Sequence, residues 1–114
     1  MFERGNLLLV PFPFTDLSAV KRRPVLALTD PDGYGDFVAL PVTSRPQLTH
    51  ALALTTADLV SGSLPAASWI RTDRVVSLNA SLVVKTFGRV PGRMLATAAD
   101  QICAYLSARP ASEA

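Results

Sequence analysis

Two short polar runs carry the side chains in this sequence that are best suited to act on a phosphate. The first run is Lys21-Arg22-Arg23, and the second is Thr43-Ser44-Arg45. Arginine presents a planar, charged fork that matches phosphate oxygens, and hydroxyl groups donate hydrogen bonds to the same oxygens. If the two runs meet in the folded chain, they predict a site for a phosphate-bearing ligand.

The segments around these runs predict that they do meet. Residues 24–29 and 36–42 have the apolar composition of strands, and the turn-forming residues 31–35 lie between them. A hairpin centred near Gly33 pairs residues whose numbers sum to about 66, which places Arg23 opposite Thr43. Opposed side chains in an antiparallel pair share one face, with Cβ atoms about 5 Å apart. Solvated charge at strand ends is the alternative interpretation for Arg22 or Arg45 taken singly.

Other common forms of catalytic chemistry have few groups to use. The sequence holds one histidine, His50, and one cysteine, Cys103. A single histidine cannot form a two-histidine acid–base pair, and a single cysteine can form neither an internal disulfide nor a cysteine-based zinc site. We therefore expect no cysteine-based zinc site and no catalytic metal held mainly by imidazoles, and we expect no cofactor. Cys103 falls in an apolar helical pattern, so we expect it in the core.

The rest of the chain has the pattern of short strands followed by one helix. Residues 6–13 combine strand formers with Pro11 and Pro13, which favours an edge strand or a bent barrel strand. Further short strands are predicted at 50–54, 67–71, 74–78 and 87–90. Apolar residues recur at helical spacing from 92 to 107. The sequence thus predicts a mainly β fold, a small, partly open barrel with a C-terminal α-helix.

Length and composition limit the organisation of the chain. The 114 residues fit one domain, residues 1–114, and the 49% hydrophobic content argues against disorder outside the last few residues. No apolar run approaches the roughly 20 residues of a membrane helix, and no secretory signal is visible, so we expect a cytoplasmic protein. Of the eleven cationic residues nine are arginine. This excess favours a phosphate-bearing partner, although genomic base composition explains it equally well.

Three blocks of the sequence resemble the signature blocks of PemK/MazF toxins. They are GNLLLVPFPFTD at 5–16, KRRPVL at 21–26 and LPVTS at 40–44. The positions that also match the family pattern are Gly62, Leu64, Pro65, Ser68 and Gly88. No single block is decisive, but their order and spacing are specific in combination, and the resemblance runs from Gly5 to about Leu106.

The resemblance implies an SH3-like barrel, usually dimeric, that cuts single-stranded RNA at short sequences without metal and is neutralised by a cognate antitoxin. It assigns the catalytic roles to Arg23 and Thr43, in agreement with the hairpin register. The RNA's own 2′-hydroxyl would be the nucleophile, leaving a cyclic phosphate and a 5′-hydroxyl. The residues expected to bind substrate around this pair are Asn6, Phe14, Asp16, Lys21, Arg22, Ser44 and Arg45.

The sequence leaves several roles open. Asp16 is a conceivable general base, with an ordinary loop carboxylate as the default interpretation. Asn6 stands where the family usually has aspartate, so activity would be weaker if that carboxylate orients an arginine. We expect Trp69 in the core, with base stacking as the alternative. Residues 36–42 lack polar alternation, and we expect a second copy of the chain to help cover the two apolar faces.

Two other functions compete with RNA cleavage. One is the non-catalytic, protein-binding role of the gyrase-poisoning relatives of this fold, which rely on a C-terminal aromatic anchor that residues 108–114 lack. The other is an inactive nucleic-acid-binding barrel, which is considered because Asn6 stands where the family usually has aspartate.

Overall fold

The computed structural model describes residues 1–13 and 20–108, so the predicted site residues Phe14 and Asp16 lie outside the described residues. One sheet and one helix contain most of these residues. The strands are β1 Asn6–Pro13, β2 Val20–Ala27, β3 Asp36–Thr43, β4 Ala51–Leu54, β5 Ser61–Gly62, β6 Ser68–Arg71, β7 Val76–Asn79 and β8 Lys85–Arg89, and the helix is α1 Gly92–Ser107. Short 3-10 turns occupy Thr56–Asp58 and Ala80–Leu82.

The strands form one curled antiparallel sheet in the order β4-β6-β3-β2-β1-β8-β5. Strand β3 has two partners on the same side, because its first half pairs with β7 and its last residues pair with β6. This change of partner bends the sheet into a half-barrel. The prediction of a mainly β barrel with a C-terminal helix is confirmed, and the helix has the predicted bounds.

The β2–β3 hairpin has the predicted register. Its described pairs are Val25 with Pro41, Leu26 with Leu40 and Ala27 with Ala39, so the residue numbers sum to 66 in each pair. The turn is fixed locally, since Asp32 Oδ1 accepts hydrogen bonds from the backbone N–H groups of Tyr34 (2.8 Å) and Asp36 (2.9 Å). A turn held in this way sets the alignment of both strands.

Strand β1 was expected to be an edge strand or a bent barrel strand, and the first of these alternatives does not hold along its whole length. It lies between β2 and β8, but its pairing with β8 runs only from Asn6 to Leu9. The Leu9 carbonyl accepts a hydrogen bond from Val84 N–H (2.8 Å) on the side away from β2. Pro11 and Pro13 follow Leu9 at intervals of two, so their nitrogens face this same side, where the described β8 has ended. The prolines therefore interrupt no described strand pairing, and the edge prediction is wrong only for the first half of β1.

Both faces of the sheet are buried within the chain. The core on the helix side is built from Leu7, Leu26, Leu40, Val42, Leu54, Ile70, Val90, Ala98 and Ile102. The core on the opposite face is built from Phe2, Leu8, Val10, Val25, Ala27, Phe37 and Ala39, with residues of β7 and the following turn packed against it. Neighbouring residues thus enter different cores, which explains the missing polar alternation. A second copy of the chain is not needed to cover these faces.

Two predictions of core positions do not hold. Cys103 is exposed, because it follows the buried Ile102 and lies about 100° further around the helix. Trp69 is half-buried, since its neighbours Ser68 and Ile70 point inward and alternation turns Trp69 to the other face of β6. Among residues 1–13 and 20–108, no helix is both long and apolar enough to cross a membrane.

Strand β5 can approach β8 only because residue 62 has no side chain. Gly62 has φ +86°, and a Cβ atom would overlap the Phe87 carbonyl oxygen and lie 2.5 Å from Gly88 Cα. We expect Gly62→Ala to lower the free energy of unfolding by about 2 kcal/mol, measured by urea denaturation. Gly33→Ala is the matched control, since a Cβ there meets nothing within 4 Å. Equal urea midpoints for the two variants would contradict this account of β5.

Candidate active site

The two polar runs meet at an open recess of about 820 Å³ at the end of the hairpin where β2 begins and β3 ends. We call it the β8 recess, because residues of β8 form part of its lining. The predicted site residues that line it are Lys21, Arg22, Arg23, Thr43, Ser44 and Arg45. The pairing of β2 with β3 ends at Val25 and Pro41, and Arg23 and Thr43, each two residues beyond that pair, both line the recess. The structure therefore brings both runs together, as their spacing predicts.

The Thr43 hydroxyl is held in a defined orientation. Its Oγ1 accepts a hydrogen bond from the Arg45 backbone N–H (3.1 Å). A hydroxyl has two acceptor lone pairs and one donor hydrogen, so this bond leaves the hydrogen for a ligand. Thr43 is half-buried at the last position of β3, whereas Arg23 is exposed on β2. The pair thus combines a positioned hydroxyl donor with a cation that a ligand can reach.

All the charged side chains among the described residues of the β8 recess are positive. Five cations line it, and no aspartate or glutamate does; the cations are Lys21, Arg22, Arg23, Arg45 and Lys85. All five are exposed. Cations gathered in a concave surface raise the local concentration of anionic ligands. The recess is therefore suited to a chain of phosphates.

The far side of the β8 recess was not predicted from the sequence. Lys85 and Phe87 belong to β8, which reaches the site because Leu9 of β1 pairs with Lys85. Residues 63–66 and Ser68 complete this side. The sequence did contain a signal for this side, because the family pattern matches at Gly62, Leu64, Pro65, Ser68 and Gly88. That match did not show where these residues lie relative to Arg23 and Thr43.

Hydrogen bonds hold residues 63–66 in place. Thr56 Oγ1 accepts from Leu64 N–H (2.9 Å) and donates to the Leu64 carbonyl (3.2 Å). Ser68 Oγ donates to the Ala66 carbonyl (3.0 Å), and Ser68 is only 6% exposed. The pairing of Gly62 with Gly88 anchors the beginning of the segment. These hydrogen bonds define the conformation of this side of the recess, although it has little regular secondary structure.

A second recess of about 740 Å³ lies on the other side of the Arg23–Thr43 pair. We call it the β7 recess, because Val76 of β7 lines it. The residues that line both recesses are Arg23, Pro24, Val42, Thr43 and Arg45. The β7 recess alone contains Gln47, Arg71, Asp73 and Arg74.

Arg71 and Asp73 form a two-point ion pair. Arg71 Nε and Nη2 donate to the two carboxylate oxygens at 2.9 and 2.8 Å, and each side chain is about one-fifth exposed. The hydrogen bond from Arg71 lowers the pKa of Asp73, and the same bond raises the pKa of Arg71. Asp73 therefore stays ionised at neutral pH, with its charge balanced by Arg71.

Asn6 lies away from both recesses. Its Nδ2 donates to the Gly88 carbonyl (3.3 Å), and its Oδ1 accepts from Glu3 N–H (2.8 Å). Arg23 pairs with Val10, four residues further along β1, which corresponds to about 13 Å of strand. Asn6 thus ties the N-terminal turn to β8. A role for Asn6 in substrate binding, like those of Phe14 and Asp16, stays a prediction.

Metal ligands are scarce in the part of the chain that the structure describes. No group of three or more histidine, cysteine, aspartate or glutamate side chains there is arranged to hold a metal ion. His50 contacts the ring of Tyr105 edge-on, with a centroid distance of 5.0 Å, and lines neither recess.

Comparison with known proteins identifies the family. The model of the PemK-like, MazF-like toxins of type II toxin–antitoxin systems matches residues 3–106. The chain therefore belongs to this family, and it is a toxin of the type II toxin–antitoxin class. No curated protein sequence matches it.

Solved structures share the fold at low sequence identity. The Mycobacterium tuberculosis toxin MazF-mt6 is 16% identical, with 91% of this chain and 98% of that chain covered and a TM-score of 0.70. A MazE–MazF crystal structure (Form-II) from Deinococcus radiodurans is 22% identical, with coverages of 95% and 97% and a TM-score of 0.75. An endoribonuclease in complex with its cognate antitoxin from a mycobacterial species is 17% identical, with coverages of 96% and 100% and a TM-score of 0.69.

Proposed function

We propose that this toxin is a metal-independent endoribonuclease that cuts single-stranded RNA, with Arg23 and Thr43 as its catalytic residues. One observation carries the proposal: both polar runs line a single recess that holds five cations and, among its described residues, no carboxylate. RNA supplies the phosphates that such a surface attracts. It also supplies a nucleophile, the 2′-hydroxyl, so the protein needs only to position the phosphate and stabilise its charge.

The reaction that fits this site begins with attack of the 2′-hydroxyl on the adjacent phosphorus. The bond from phosphorus to the 5′-oxygen then breaks, which leaves a 2′,3′-cyclic phosphate on one product and a 5′-hydroxyl on the other. Negative charge grows on the non-bridging oxygens in the transition state. The Arg23 guanidinium and the Thr43 hydroxyl donate to these oxygens, and a well-placed donor contributes roughly 3 kcal/mol to such stabilisation. Lys21, Arg22 and Arg45 hold the neighbouring phosphates.

Proton transfer in this reaction needs another group beside the charge-stabilising pair. A guanidinium is almost permanently protonated, so Arg23 is a poor general base. Asp16, which precedes the cationic run in sequence, is our candidate for the base that accepts the 2′-hydroxyl proton. The proton that the leaving 5′-oxygen requires comes from solvent or from the protonated base.

The inactive nucleic-acid-binding barrel is the less favoured alternative. This alternative was considered because Asn6 replaces the aspartate that the family usually has, and that aspartate was taken to orient a catalytic arginine. Asn6 instead contacts Glu3 and Gly88 and lines neither recess. The replacement therefore gives no reason to expect that the chemistry is lost.

We expect Arg23→Ala and Thr43→Ala each to reduce RNA cleavage by about 100-fold or more with the fold intact, because each removes a transition-state donor near the end of a strand. Cleavage by the purified protein is measured in EDTA with a labelled single-stranded RNA. Exposed residues of α1 provide matched controls, Arg93→Ala and Thr97→Ala, which should cut like the unmodified chain. Undiminished cleavage by Arg23→Ala would remove the catalytic assignment.

The products of the same assay test the nucleophile. The new ends should be a 5′-hydroxyl and a cyclic phosphate, and a single 2′-deoxy substitution at the cleaved position should block cutting. Full inhibition by EDTA, or 5′-phosphate ends, would point instead to a metal-activated water.

We also propose that this toxin acts in the cytoplasm as a homodimer and is inhibited by an antitoxin whose acidic, disordered segment occupies the β8 recess. The recess holds five cations and, among its described residues, no aspartate or glutamate, so its charge is complementary to an acidic segment. The solved structures named for MazE–MazF and for an endoribonuclease with its antitoxin support a protein partner. The dimer rests on the family resemblance, and a monomer by light scattering at micromolar concentration would refute it.

Reversal of charge in the β8 recess tests the antitoxin proposal. Arg22→Glu with Arg45→Glu should weaken antitoxin binding at least tenfold, because it turns attraction to an acidic segment into repulsion. The binding of the unmodified toxin should also weaken as salt rises. Arg4→Glu with Arg93→Glu changes the net charge by the same amount at exposed positions outside both recesses. This control should have little effect on antitoxin binding. Equal binding by the two double variants would place the antitoxin elsewhere.

A further inference from the structure

We propose that the β8 and β7 recesses hold the two nucleotides on either side of the cleaved bond, and that each recess selects its own base. The inference rests on the proposed function. It starts from the position of Arg23 and Thr43, which line both recesses. A phosphate held between these two side chains lies at the boundary, so the nucleotides attached to it extend in opposite directions.

Each recess is large enough for one nucleotide. Their volumes of about 820 and 740 Å³ lie within the range of small-molecule sites, about 300–1,000 Å³. Pro24 and Val42 line both recesses together with the catalytic pair and form the apolar part of the boundary. Single-stranded RNA is recognised by proteins that receive unstacked bases in such sites.

The β8 recess offers apolar surface and hydroxyl groups beyond its cations. Phe87 is half-buried and packs against the helix-side core, so its ring is held in place while part of it lines the recess. Leu64 packs against the same core, and Ser63 is exposed beside it. An aromatic ring supports a base by stacking, and a serine hydroxyl bonds to the base edge. The hydrogen bonds to Leu64 and Ala66 define the conformation of the segment that carries Ser63 and Leu64.

The β7 recess offers hydrogen-bonding side chains in place of an aromatic ring. Gln47 Nε2 donates to the Arg45 carbonyl (3.0 Å), which orients the amide and leaves its oxygen as an acceptor. Arg74 is exposed in the same lining as Arg71 and Asp73. The two hydrogen bonds between Arg71 and Asp73 hold that pair in a defined orientation. Glutamine and arginine are side chains that read base edges through two hydrogen bonds. The two recesses therefore present different chemistry to the two bases.

The test is cleavage of an RNA library randomised on both sides of the cut, with the sequences of cut molecules counted. Phe87→Leu and Ser63→Ala should change base preference by about tenfold at one side of the cut only. Gln47→Ala and Arg74→Gln should change it at the other side only. Lys85→Ala should slow cutting of all sequences alike, as expected for a phosphate contact. Thr97→Ala, on the exposed face of α1, should leave the preference unchanged.

Two results separate this inference from the proposed function. If the unmodified chain cuts RNA but both groups of variants alter the same side, or neither alters the preference, the assignment of the recesses is wrong and the nuclease stands. If the unmodified chain cuts no RNA of the library, the proposed function and this inference fail together. Because Phe87 also contacts the core, Ser63→Ala provides the result for the β8 recess if Phe87→Leu does not fold.

Discussion

The antiparallel register of β2 and β3 is the constraint on which the site depends. Arg23 and Thr43 come from different strands, and both reach the same recess because the pairs from Val25–Pro41 to Ala27–Ala39 align those strands. A slip of one residue would turn the side chains of one strand to the other face of the sheet. Such a slip would also exchange Val25 and Leu26 between the two cores, where both are fully buried. The apolar interior therefore fixes the geometry of a polar site that lies outside it.

Burial of both sheet faces also explains where the chemistry is located. The middle of each central strand is occupied by core residues, so polar groups have room only at strand ends and in the connecting segments. Pro11 and Pro13 contribute to this arrangement, because they lie where the described pairing of β1 with β8 has ended. The β8 recess is lined by Leu9, the last residue of β1 in its described pairing with β8. Its far side depends on Gly62, where a side chain would collide with β8.

Sequence reasoning succeeded where the determining contacts are local and failed where they are distant. The turn at 31–35 lies between its two strands, so the register and the meeting of Arg23 with Thr43 could be predicted. The helix could be predicted from its own periodicity, whereas the exposure of Cys103 depends on which side of that helix meets the sheet. Lys85 and Phe87 could not be placed, because β8 joins the site through pairing with β1 at the other end of the chain. The substrate-binding role of Asn6 comes from family resemblance alone, which carries no information on its hydrogen bonds here, and it stays a prediction.

The central claim is that the register makes Arg23 and Thr43 act on one phosphate as a unit. A double-mutant cycle on single-turnover RNA cleavage tests it most directly, with Arg23→Lys and Thr43→Val as substitutions mild enough to leave a measurable rate. If the two side chains stabilise the same transition-state charge, the double variant should lose little more activity than the more damaged single variant. Losses that multiply to the full product of the two single effects would mean that the residues act independently, and would contradict the claim.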